Sequence, residues 1–120
     1  QQESFHYVWD EMDNNGFSLL GEHITYTGAK LATLKAAPTA ANLAQANVYI
    51  IVDPDTEKET VNPNFMDASS IQEIKNWVGQ GGTLVLMAND EKNAELDKFN
   101  KLAEVFGIQY KKELKNPVTG

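Results

Sequence analysis

Asn47-Val-Tyr-Ile-Ile-Val-Asp-Pro-Asp, residues 47 to 55, is the stretch that decides the fold class. Val48 to Val52 run without a polar break, whereas a half-exposed strand would alternate. A continuous β-branched run closed by a turn signal reads as a parallel strand covered on both faces. Pro54 has no amide hydrogen, so the ladder must end near Asp53. A second such run, Thr83-Leu-Val-Leu-Met-Ala88, follows the Gly81-Gly82 break. The segment between the two can hold a helix, giving a strand–helix–strand unit. Val48, Ile50, Ile51, Val52, Leu84, Val85 and Leu86 are the expected core.

Working outward, the 120 residues suffice for one domain, and 42% hydrophobic content is that of a globular chain. A net charge of -7 with no basic stripe argues against nucleic acid as a partner. No apolar run is long enough to span a bilayer, and no signal peptide is evident, as in a mature or trimmed secreted chain. Zero cysteines exclude a disulfide framework, a thiolate nucleophile and a thiolate metal site.

Upstream, residues 1–14 read as an aromatic arm or a short strand over Phe5 to Trp9. Asp13-Asn14-Asn15-Gly16 is loop chemistry that offers a helix cap. Phe17, Leu20, Gly21 and Ile24 then predict a helix over 15–27, stopped by Gly28. A short strand is expected at 29–34. Thr39 caps a brief helix anchored by Leu43. Downstream of the 47–53 strand, residues 54–68 form a loop long enough to be functional or tied to a neighbour. Ser69 or Ser70 is expected to cap the next helix, with Ser70 and Glu73 at capping-box spacing. Ile71, Ile74 and Val78 form its buried stripe, Trp77 lies beside that stripe as core or interface, and Gly81-Gly82 ends it. Leu96, Phe99, Leu102, Ala103 and Phe106 mark an amphipathic helix ending at Gly107. Ile108 to Tyr110 close the series as a last strand. The body thus runs 15–112, with a loose tail at 113–120.

This alternation predicts a three-layer, doubly wound α/β fold with a mainly parallel sheet. Such folds place their first strand at the sheet centre, and residues 4–9 suit an edge better. An incomplete domain lacking that strand is therefore an expectation. Ligands bind beyond the carboxyl ends of the strands, so Asp53, Asp55, Asn89 and Asp90 form the candidate rim. Carboxylates there could hold a metal or a sugar hydroxyl. As a calcium loop the stretch fails, because Lys58 stands at the glycine position and Asn64 at the bidentate glutamate. The more ordinary reading is a solvated turn in which Asp53 caps local amides. Tyr7 and Trp9 could stack on a sugar or on another domain. His6 and His23 have no serine or carboxylate at a recognisable spacing, and Gly79 to Gly82 follow a helix, unlike a phosphate loop. The acidic pair of a receiver domain and the hydroxyl-rich loop of a flavodoxin are both missing. No catalytic residue, cofactor or metal is expected.

The blocks Phe5-His-Tyr-Val-Trp-Asp10, Asn15-Gly-Phe-Ser-Leu-Leu-Gly21, Ala37-Pro-Thr-Ala-Ala-Asn-Leu43, VYIIVDPDTEKET (48–60) and GGTLVLMAND (81–90) together carry a resemblance. They resemble the accessory domain attached to Bacteroidetes unsaturated rhamnogalacturonyl or glucuronyl hydrolases of glycoside hydrolase families 88 and 105. That domain is related to the class I glutamine amidotransferase-like fold. The likeness covers nearly the whole chain, and its VDPDTEKET block is the more specific part. Enzymes of that fold use a cysteine, which this chain lacks, and the hydrolase activity of the family sits in a separate helical barrel. The resemblance therefore implies a non-catalytic domain in polysaccharide breakdown, periplasmic or secreted. Its partners would be the helical-barrel domain and a polysaccharide. Two rival expectations are a degenerate amidotransferase-like or esterase-like enzyme using the strand-end carboxylates, and a protein-docking module.

Overall fold

The computed structural model describes residues 6–113. Phe5 and the tail 114–120 lie outside the described residues, and so do the expectations made for them. The chain divides into two compact units, Gln1–Ala37 and Pro38–Gly120.

In the first unit the chain from His6 to Phe17 closes on itself instead of extending as a strand. Tyr7 N–H donates to Asn15 O (3.0 Å), and Phe17 N–H and Glu11 N–H both donate to Val8 O (3.1 and 3.2 Å). His6 and Tyr7 take positive φ (50° and 51°), a region that side chains rarely adopt. Helix α1, Ser18–Tyr26, starts later than the periodicity suggests, and Phe17 at its N-cap gives no side-chain bond. Gly28 ends it with φ 93°. Only Gly21 on α1 is fully buried, and Leu20, expected on the inner stripe, is exposed. A Cβ at Gly21 would meet Leu31 Cδ1 at 2.9 Å and Trp9 at 3.1 Å, so the helix can approach only without one. Residues 29–34 form no strand; the Trp9 indole N–H reaches Ala32 O (3.3 Å) there.

The second unit is an α/β unit built on a parallel strand pair. Helix α2, Ala40–Leu43, opens with a capping box in which the Thr39 hydroxyl and the Asn42 side chain satisfy each other's backbone N–H. Strand β1, Val48–Val52, helix α3, Ala68–Gly79, and strand β2, Thr83–Met87, form the expected crossover. The strands pair in parallel from Val48↔Thr83 to Val52↔Met87. Helix α4, Leu96–Glu104, follows, capped by Glu95. The cap of α3 is Asp67, whose carboxylate accepts Ser70 N–H (2.7 Å), so Ser69 and Ser70 lie inside the helix. Gly81 carries φ 106°, and a Cβ at Gly82 would collide with the Trp77 indole, so glycine is required at both.

The core differs from the expectation. Leu43, Ile74, Trp77, Ala94, Leu96, Phe99 and Leu102 form it, mostly on helices, with Ile74 and Leu102 at 0% exposure. Tyr49, Ile51, Leu84 and Leu86 pack against it as one sheet face. The opposite row, Val48/Thr83, Ile50/Val85 and Val52/Met87, stands outside that cluster, with Val48 52% exposed. The strand residues are thus half-buried where near-complete burial was expected. Two strands give a single broad face to the helices, and side chains alternate across it.

Ile108–Tyr110 form no strand either. The Asn100 amide brackets Tyr110 instead, accepting its N–H (2.8 Å) and donating to its C=O (3.0 Å). A side chain here takes the pair of bonds that a ladder would have used.

Candidate functional site

Of the four rim residues, two are drawn together. Asp53 ends β1 with φ 37° and is 7% exposed. Its N–H continues the ladder to Met87 O (2.8 Å). Its Oδ1 accepts the Asn89 N–H (2.9 Å), and its Oδ2 accepts the Asn89 side-chain amide (2.7 Å). A buried carboxylate needs such donors to offset its lost hydration. The pair clamps the ends of both strands together. The solvated turn expected here, with Asp53 capping local amides, does not form: the carboxylate is buried and holds Asn89, 36 residues away at the end of the other strand.

Asp55 and Asp90 each serve their own turn. Asp55 accepts the Thr60 hydroxyl, while Glu59 accepts Thr56 N–H and hydroxyl at 3.0 Å each. Asp90 accepts Lys92 N–H (2.8 Å), and its backbone oxygen accepts Ala94 N–H (2.9 Å). The Asp90–Lys92 bond closes an Asx-turn, whereas the Asp55 segment is held through the side chains of Thr56, Glu59 and Thr60. The Thr56–Glu59 spacing is visible in the sequence and could have flagged the Asp55 turn.

The long loop between β1 and α3 is tied to the start of α4. Glu95 N–H donates to Pro54 O (2.8 Å), and Lys98 Nζ lies 3.0 Å from the centre of the Phe65 ring, a cation–π contact. Met66 packs on the core. No signal local to Phe65 predicts Lys98 as its partner, because the contact spans α3 and β2.

Within the first unit, the stacking candidates Tyr7 and Trp9 pack on one ring. Phe17 sits 5.5 Å from Tyr7 and 6.0 Å from Trp9, centroid to centroid. His6 Nδ1 faces Glu11 Oε1 (3.1 Å) and Asn15 Nδ2 (2.7 Å). One nitrogen cannot donate to the carboxylate and accept from the amide at once, so its proton selects between them. His23 Nδ1 lies 2.9 Å from Leu19 O on its own helix. A shallow concavity of about 640 Å³ is lined by Met12, Asp13, Asn14 and Asn15, and includes none of the expected site residues.

No family model, curated protein or solved structure matches the chain.

Among the described residues no three His, Cys, Asp or Glu side chains gather as a metal site would require. Among the described residues no helix is long and apolar enough to cross a membrane. The groups with shifted proton affinity are structural ones. Burial pushes the Tyr49 and Tyr110 phenols up. The Ser70 N–H bond holds Asp67 below the usual carboxylate range. Lys112 is raised by its hydrogen bond to Asp97 and by that carboxylate's charge.

Proposed function

We propose that this chain is a non-catalytic accessory domain of a polysaccharide-degrading glycoside hydrolase of the unsaturated glucuronyl or rhamnogalacturonyl type. It acts in domain packing or glycan contact, outside the cytoplasm, beside a catalytic helical barrel. Its fold is the three-layer, amidotransferase-like one. The sequence blocks that resemble this accessory domain support the assignment.

The observation that carries the non-catalytic part is the use made of the rim. Asp53 is consumed in the clamp with Asn89, and Asp55 and Asp90 close their own turns. A general acid or base must reach a proton on substrate, and these carboxylates point at the protein's own donors. The cysteine that the amidotransferase chemistry would need is missing from the sequence. A protein-docking module is the second reading, favoured by the exposed apolar side chains of Leu19, Tyr26 and Val61.

The test is an assay of the isolated chain on unsaturated uronyl oligosaccharides, with the loss of the unsaturated chromophore as readout. The rate expected is that of buffer. Turnover that vanishes in Asp55→Ala, while circular dichroism shows the fold intact, would contradict the proposal.

A further inference from the structure

Asn15-Gly16 is the sequence's one asparagine followed by glycine, and it closes the turn that leads into α1. Gly16 N–H donates to Asp13 O (2.8 Å), and Tyr7 N–H donates to Asn15 O (3.0 Å). The Asn15 side-chain nitrogen lies 2.7 Å from His6 Nδ1. Position 16 admits no side chain, because a Cβ there would collide with the Glu11 backbone carbonyl. The fold therefore fixes glycine after Asn15, and with it an amide nitrogen that no side chain screens. Asn15 also lines the shallow concavity beside Asp13 and Asn14, so water reaches its side chain.

We propose that Asn15 is a self-modification site, where the Gly16 amide nitrogen displaces the Asn15 side-chain amide as ammonia and His6 protonates the departing nitrogen. The inference does not depend on the glycan-related function above, for it concerns the chain's own backbone. Water is the one co-reactant. Gly16 N–H gives its proton to water, and the nitrogen forms a bond to Asn15 Cγ, whose carbonyl electrons move onto Oδ1. When they return, the Cγ–Nδ2 bond breaks, Nδ2 takes a proton from His6 Nδ1 and ammonia leaves a cyclic imide behind. Water opens the imide at either carbonyl, giving aspartate at position 15 or isoaspartate, in which the main chain runs through Cγ. His6 recovers its proton from water.

His6 sets this turn apart from any exposed asparagine–glycine pair. Glu11 Oε1 lies 3.1 Å from the same Nδ1, and the bond between them forms when that nitrogen carries the proton. As an amide, Asn15 Nδ2 has no lone pair to accept it. As the amine of the tetrahedral adduct it has one, so the proton passes only after Gly16 has attacked. The product alters the loop. Isoaspartate adds a carbon to the backbone, so the bonds from Tyr7 to Asn15 and from Gly16 to Asp13 cannot both survive. Aspartate keeps the backbone and sets a second carboxylate beside His6.

The experiment incubates the full native chain in neutral buffer and follows ammonia release and peptide masses, with fragmentation that distinguishes isoaspartate. Conversion should begin at Asn15, ahead of Asn14, and the Tyr7 amide should exchange faster as isoaspartate accumulates. His6→Gln keeps a hydrogen-bonding side chain with no acidic proton to give, so it should slow native conversion by roughly tenfold or more. In denaturant the two chains should convert at the same rate. Solvent deuterium should slow the native wild-type chain more than the denatured one. Three results would overturn the proposal. Asn15 staying intact in the native chain while the denatured chain converts would mean that the fold shields it. Native conversion of His6→Gln at the wild-type rate, with Tyr7 still protected at the start, would remove His6 from the chemistry. An equal deuterium effect in native and denatured wild type would do the same, whatever the variant's fold.

Discussion

On one face of the β1–β2 pair, Tyr49, Ile51, Leu84 and Leu86 lean on a cluster held by α2, α3 and α4. On the other, Ile50, Val52 and Val85 are half-buried, and Val48 and Met87 are exposed. Both rows are apolar in sequence, so hydrophobicity did not choose between them. The difference lies in what packs on each row. α3 crosses back over one face, and its Ile74 and Trp77 fix that side as the core. Trp77 meets Tyr49 edge to face, with centroids 6.5 Å apart, and its indole fills the space that Gly82 leaves open.

The largest contrast should come from truncations on the two sides. Phe99→Ala, at 1% exposure, should cost about 3–5 kcal/mol in chemical denaturation, because it opens a cavity that the helices cannot close. Val85→Ala should cost only about 1 kcal/mol, since the methyl groups removed are already half in water. Equal costs would erase the distinction between the faces. Gly82→Ala comes next, at about 1–3 kcal/mol, because the new Cβ meets the Trp77 ring. Pairing it with Trp77→Leu should recover part of that loss.

The rim tests how the strand ends are held. Asp53→Ala leaves the Asn89 N–H without its acceptor and puts alanine at positive φ, which should cost roughly 1–3 kcal/mol. Asp53→Gly removes the same bonds without the backbone strain, so it should be the milder change. If both are neutral, the clamp is not holding the strands.

Much of this was legible in the sequence, and the losses have physical causes. The strand–helix–strand unit announces itself in two β-branched runs and the Gly81-Gly82 stop. Thr39 and Leu43 behave as their types and positions suggest. Asp53 and Asn89 were both expected on the rim, because strand ends in a parallel sheet share one side. Their mutual bond was not readable, since nothing local at Asp53 signals residue 89. The strands expected at 29–34 and 108–110 fail for another reason. Short apolar segments become strands only when a neighbour supplies a ladder. Near Tyr110 the Asn100 side chain supplies the bonds instead. Likewise, the 48–52 run is less buried than its composition predicts, because an apolar run reports what a strand could bury and says nothing of how many layers cover it.

Smaller effects sharpen the picture at the periphery. Tyr110→Phe removes the hydroxyl that serves the β2 edge at Leu86 O and should cost about 0.5–1.5 kcal/mol. Its phenol is raised by burial, so the associated stability is present below the unfolded tyrosine value of about 10 and is lost as pH rises through the folded one. Tyr49 acts in the same direction. Asp67 shows the opposite sign. Its lowered value gives stability that is present above about 4 and lost as pH falls through the folded value. A melting series under acid should therefore loosen the start of α3, and Asp67→Asn should flatten that response.

Native-state hydrogen exchange of the free chain tests the central claim most directly, because it reads β1 residue by residue. The account predicts protected amides at Tyr49, Ile51 and Asp53, which face β2, and fast exchange at Val48, Ile50 and Val52, which face outward. Uniform protection along all of β1 in dilute solution would contradict it, for the outer edge would then already be paired.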